Sequence, residues 1–285
     1  MARVAIVTDS TADLSPAVTA AQGIRVVPLF VRFGDAELRA GVDLSTDEFW
    51  ARMLAPDAPF PQTAAPAPGT FRETFEQCFA DGAEAIVCLT ISTKLSGTYR
   101  SAELGAAMLP GRPIHVIDSV TASMGTGLLV LLAAEMAAAG SPAGEIEAAV
   151  RARFADIGLY VFLDTLEYLR KGGRLSAARA AIGTVLSVKP IITVRDGLVE
   201  MVEKPRTRAR ARERVLELLA SRPIERLAIL QTAGIGADRD AFRDELVARL
   251  PGGIEPAHVS AETIGASIGP HLGPGCLGAA VLLRR

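Results

Sequence analysis

Four short apolar runs in this chain each stop in a turn rich in hydroxyls. Val4–Val7 leads into Thr8-Asp9-Ser10-Thr11, and Ala85–Leu89 into Thr90-Ile91-Ser92-Thr93-Lys94-Leu95-Ser96-Gly97-Thr98. Ile114–Ile117 leads into Asp118-Ser119-Val120-Thr121-Ala122-Ser123, and Leu227–Leu230 into Gln231-Thr232-Ala233-Gly234. An apolar run, a polar turn and then a helical pattern read as a β-loop-α unit. In open α/β sheets, ligands bind outside the carboxyl ends of the strands. Here those ends carry Ser, Thr and Asp, and none of the four turns carries GxGxxG or GxxxxGKS/T to cradle nucleotide phosphates. The pattern predicts a site that meets a small polar or anionic group with hydroxyls.

At 285 residues the chain is long enough to bury a substantial core. Its net charge of −2 and pI near 6.0 argue against a nucleic-acid partner. Mean hydropathy is +0.30, yet the longest apolar block, Leu128–Ala134, stops at Glu135, so no membrane span is predicted. A strand that starts by Val4 leaves no room for a leader peptide, and the expected location is cytoplasmic. Cys78, Cys88 and Cys276 lie far apart without CxxC spacing, which predicts neither a metal site nor a disulfide framework. No cofactor is expected.

The periodicities predict an α/β fold of two domains, residues 1–155 around a parallel sheet and residues 156–285 around a mixed sheet. In the first part, Ser15-Pro16 reads as a helix start, Ile24–Val31 as one strand, and Ser45 to Glu48 as a capping box. Five prolines from Pro56 to Pro68 predict a stiff loop that holds Gln62-Thr63. Helices are expected from about 69 to 79 and after Ser141-Pro142. In the second part the reading is a strand at Leu159–Leu163, a short helix stopped by Gly172-Gly173, and an Ala-rich helix over Leu175–Leu186. A hairpin turning at Asp196-Gly197 follows, then a helix from about 207 to 221, a helix over Arg239–Leu250 and a last strand at Leu277–Leu283.

Several residues combine suitable chemistry with a suitable place. Ser96 sits between a strand end and a helix start, where a serine serves either as a helix cap or as an anion contact. Thr63 reads either as a turn former or as a ligand contact. His271 is held between Gly269-Pro270 and Gly273-Pro274, and a histidine fixed this way suggests a proton-sensitive contact. His115 and His258 read as structural. Arg170, Lys171 and Arg174 surround the glycine pair and would also offset a helix dipole. Arg206 follows Pro205 at the hairpin exit. A Ser96–His271 pair completed by Asp9 or Asp118 would make an acyl hydrolase, although no GxSxG elbow is present.

Taken in order, these segments resemble the DegV family. The resemblance runs through Val7–Asp13, Gln62-Thr63, Ile91–Tyr99, Ile117–Ser119, Ser123–Gly127, Leu166–Ser176, Lys189-Pro190 and Ile268–Gly275. It implies two α/β domains with an acyl chain in a tunnel between them. It also implies a long-chain fatty acid as ligand, with its carboxylate held by the residues matching Thr63, Ser96 and His271. Arg206 and Arg174 would then serve phosphotransfer or docking, because such proteins are carrier subunits that present the carboxylate to a separate ATP-dependent kinase. The family's loop often reads Thr-Ser-x-Pro-Ser. Here it is Thr63-Ala64-Ala65-Pro66-Ala67, which lacks both serine hydroxyls.

Overall fold

The computed structural model of the chain describes residues 3–175, 188–234 and 238–285. Strands of the first half are β1 (Val4–Asp9), β2 (Arg25–Val27), β3 (Phe30–Phe33), β4 (Ala36–Arg39), β5 (Gln62–Ala64), β6 (Ala85–Thr90) and β7 (Ile114–Asp118). Its helices are α1 (Pro16–Ala21), α2 (Thr46–Met53), α3 (Pro68–Ala80), α4 (Thr98–Ala107), α5 (Met124–Ala138) and α6 (Ala143–Ala152). Four strands form an all-parallel sheet in the order β2-β1-β6-β7. β6 is buried at every position, as a central strand covered on both faces must be. Alternate residues serve opposite faces: Ile86 and Cys88 pack with Phe71 and Phe75 of α3, while Val87 and Leu89 pack with α5 and α6.

The second half contributes β8 (Ile157–Phe162), α7 (Glu167–Lys171), β9 (Ile191–Arg195), β10 (Leu198–Glu203), α8 (Arg208–Leu219) and β11 (Ile224–Gln231). It ends with α9 (Asp238–Arg249), β12 (Val259–Thr263), α10 (Gly269–Leu272) and β13 (Leu277–Leu283). The six strands order as β10-β9-β8-β13-β11-β12, antiparallel except for the β11–β12 pair. One face is covered by α8 and α9 through Val215, Leu216, Phe242 and Leu246. The other carries Leu159, Val161, Ile192 and Leu230 toward the first half. Helix α5 lies between the two sheets. From Met124 to Ala134 it is apolar apart from Thr126 and buried or half-buried, as a helix segment enclosed between two layers must be: Met124 and Leu128 join the core over the second sheet, and Leu129, Val130 and Ala133 the core under the first. The architecture is therefore α/β, with one helix-covered sheet in each half.

Several local readings meet the structure. Ser45 and Glu48 form both hydrogen bonds of a capping box. Asp196 and Gly197 both have positive φ (49° and 78°) in the tight turn between β9 and β10. The helix expected from about 207 to 221 is α8, Arg208–Leu219, and Thr207, which was not read as a cap, accepts from the Arg210 N–H.

Other readings are corrected. Ile24–Val31 is not one strand. Pro28, which has no N–H to give a ladder, divides it, and β2 and β3 enter different sheets. Thr63 is not in a loop: Gln62–Ala64 is the edge strand of a third sheet ordered β4-β3-β5. Ser15 stands at the start of α1 but makes no side-chain cap. The helix expected over 175–186 lies outside the described residues beyond Leu175. Among the described residues, no helix is long and apolar enough to cross a membrane.

Candidate functional site

A narrow cavity lies between the turns that follow β1, β6 and β7 and the open face of the second sheet. Its floor is a row of apolar side chains fixed by strand register. Val199 stands opposite Val194, Ile192 opposite Val161, and Val161 is separated from Leu230 only by Gly278. The row thus loses its side chain at Gly278, where a Cβ would come within 2.1 Å of the Tyr160 carbonyl oxygen. Ile91, Leu95 and Leu169 extend the apolar lining. Polar groups enter from the other side. Thr11, Ser96 and Ser123 come from the three strand-end turns, Thr63, Arg174, Ser267 and His271 join them, and on the sheet side Thr193 adds a hydroxyl from β9.

Thr63 and His271, 208 residues apart in sequence, meet with Oγ1 and Nε2 at 3.0 Å. His271 is carried on α10, whose packing against α7 depends on two glycines. The imidazole rests on Gly172, where a Cβ would fall 2.2 Å from Nδ1, and the Tyr168 ring rests on Gly273, where a Cβ would fall 2.1 Å from Cδ2. Nδ1 of His271 is buried and has no hydrogen-bond partner. Burial, and then the charge of Arg174, push the imidazole pKa down to about 4. At neutral pH the ring is therefore uncharged.

Arg174 supplies the positive charge. Its Nε donates to the Leu95 carbonyl at 3.1 Å and its Nη1 to the Gly172 carbonyl at 2.8 Å. Burial lowers its pKa, a guanidinium keeps its charge in proteins, and among the described residues no carboxylate pairs with it. Half-buried and unpaired with an anion, this guanidinium is the cation of the cavity.

Ser96 lines the cavity but does not cap α4, because Gly97 occupies the cap position. Its Oγ lies 2.8 Å from Thr98 Oγ1. No hydrolytic triad is assembled. Ser96 bonds to Thr98 and His271 to Thr63, while Asp9 is held by Thr11 and the Ile91 N–H, and Asp118 by Thr93 and the Val120 N–H. Arg206 is exposed and stands outside the cavity lining, so it does not point inward.

Thr11, Ser123 and Ser267 were not singled out in the sequence, although the first two lie within the hydroxyl-rich turns. Behind them, Ser123 donates to Asp13 Oδ2 at 2.6 Å, and the Gly265 N–H donates to Asp13 Oδ1 at 2.9 Å. Asp13 thereby ties a turn of the first half to the segment that carries Ser267 and His271. Its burial, opposed by those hydrogen bonds, leaves its pKa raised to about 7.

A family model described as "Uncharacterised protein, DegV family" matches residues 3–284. The chain belongs to the DegV family. A DegV domain-containing protein of Streptomyces coelicolor is 40% identical over 286 residues, covering 99% of each chain. The structure of a DegV family protein from Thermus thermophilus, reported for its fatty acid binding, is similar with a TM-score of 0.88 and 32% identity, covering 99% of this chain and 100% of that one. A stearic acid-binding protein from Eubacterium ventriosum gives a TM-score of 0.87 and 28% identity, covering 99% of this chain and 98% of the other. DegV structures of this kind carry a two-domain α/β fold, the class read for this chain.

Proposed function

We propose that this DegV protein binds a long-chain fatty acid, with the acyl chain in the cavity and the carboxylate among Thr63, Ser96, His271 and Arg174. The observation that carries this reading is the division of the cavity into an apolar floor and a polar end with one unneutralised cation. Burying about fifteen methylenes at ~0.8 kcal/mol each would contribute at most ~12 kcal/mol, before ordering costs are subtracted. A buried carboxylate without donors would cost several kcal/mol of that. Two hydroxyls, an imidazole and a guanidinium meet the need.

The resemblance to carrier subunits extends the proposal: the bound carboxylate is presented to a separate ATP-dependent kinase, which phosphorylates it to the acyl phosphate. Arg206, exposed beside the cavity-bearing sheet, is then a docking residue. Mass spectrometry of lipid extracted from the purified protein, followed by titration with fatty acid, tests the first part. Absence of both co-purified and added fatty acid would overturn it. For the second part, a fatty acid kinase subunit and ATP are added and acyl phosphate is trapped with hydroxylamine. Failure to form the hydroxamate from bound ligand would overturn that step.

A further inference from the structure

We propose that Phe60 and Tyr168 form a clasp that positions Thr63 against His271 and sets the rate at which the carboxylate end of the cavity exchanges its ligand. This rests on the fatty-acid reading of the site. The two rings stack with centroids 6.3 Å apart and planes inclined by 28°. The Lys171 ammonium lies 5.6 Å from the centroid of Phe60. On its other side Tyr168 is seated on Gly273, immediately after the helix that bears His271. A single stack therefore links the segment leading to Thr63 with the elements that hold its partner.

The need for such a clasp follows from the weakness of β5. That strand has three residues and, among the described residues, pairs only with β3. So short a pairing has little stability of its own. What holds β5 toward α10 is the Thr63–His271 bond together with the Phe60 stack. The sequence prepares Phe60 for this. It stands in Pro59-Phe60-Pro61, where the flanking prolines restrict the backbone and favour an extended conformation at residue 60. Less chain entropy is lost when the ring docks. Both rings are only half-buried, so the stack can open without disrupting the core. Opening it frees the strand that carries Thr63 while α10 stays packed under Phe49 and Trp50, which leave no room for a side chain at Gly269. Phe60 and Tyr168 are thus positioning residues that act through Thr63.

The test compares wild type, Phe60→Ala, Phe60→Leu and Tyr168→Phe, with Thr63→Ala as a second background. Dissociation of bound oleate is followed by stopped-flow displacement. Phe60→Ala and Phe60→Leu are expected to speed release by roughly two- to tenfold, the range an aromatic pair contributes. Tyr168→Phe keeps the ring and is expected to match wild type. In the Thr63→Ala background the Phe60 effect is expected to vanish, because the clasp acts through that hydroxyl. An equal acceleration in both backgrounds, or none in either, overturns the proposal. A ligand-free readout separates this from the fatty-acid reading: the 15N shifts of the His271 ring are expected to move in both Phe60 variants and not in Tyr168→Phe. Should wild type bind no fatty acid, the carrier reading falls, and unchanged His271 shifts in the Phe60 variants would still overturn the clasp.

Discussion

His271 offers the sharpest quantitative test of the site. In the unfolded chain its imidazole titrates near 6.5, whereas burial and Arg174 bring it to about 4 in the folded protein. The folded state refuses a proton that the unfolded chain accepts, so stability is intact above pH 6.5 and erodes as pH falls toward 4. Each pH unit in that window costs about 1.4 kcal/mol. Between pH 7 and pH 4.5 the loss assignable to this residue is about 2.5 kcal/mol. His271→Gln retains a hydrogen-bonding side chain but does not titrate. Urea unfolding of both proteins at the two pH values isolates the contribution, since every other titrating group is common to both. Wild type is expected to lose about 2.5 kcal/mol more than the variant on acidification. Equal losses, or an NMR titration midpoint for His271 near its ordinary value, would refute the assignment of a buried neutral imidazole beside a cation.

Three further outcomes are expected. Thr63→Val keeps the shape of the side chain but removes the hydroxyl that meets His271; fatty acid affinity should fall roughly tenfold, measured by displacement titration, and the melting temperature should fall by a few degrees, because the buried imidazole loses a hydrogen-bond partner. Arg174→Met should raise the His271 midpoint toward 6.5, because one of its two depressing causes is removed, and should weaken binding of a fatty acid but not of its methyl ester. Asp13 holds its proton up to about pH 7 when folded, against 3.8 unfolded, so its contribution is present below pH 3.8 and is lost as pH rises through 7. Asp13→Asn should therefore flatten stability between pH 5 and 7.5, and an unchanged slope in chemical denaturation would count against it.

Much of the framework was legible because burial writes it into the residue pattern. The run Leu277–Leu283 is β13 to the residue, and Ala85–Leu89 is the core of β6. Caps and tight turns carry local chemistry, so Ser45 and Asp196-Gly197 could be placed without tertiary knowledge. The β4-β3-β5 sheet escaped because its strands are short and mostly solvent-facing on one side. The signal was nonetheless present in Gly34-Asp35 between Phe30–Phe33 and Ala36–Arg39. At the site, hydroxyls and a histidine could be nominated from their turns, but their mutual distances could not. The contact between Thr63 and His271 spans most of the chain, and the neutrality of His271 depends on burial and on Arg174. Charge state is a property of the assembled cavity and not of any one segment.

Helix α5 has a mechanical consequence. Two sheets share it as a common wall, and neither can pull away without stripping apolar side chains such as Met124, Leu128 and Leu129 of cover. At roughly 1.5–3 kcal/mol for each large side chain exposed, a wholesale parting of the halves would approach the stability of an ordinary domain. The cavity is consequently built like a box with a fixed spine. Whatever enters or leaves it must do so by movement of lighter pieces at the rim, and loading can proceed at a cost far below that of unfolding.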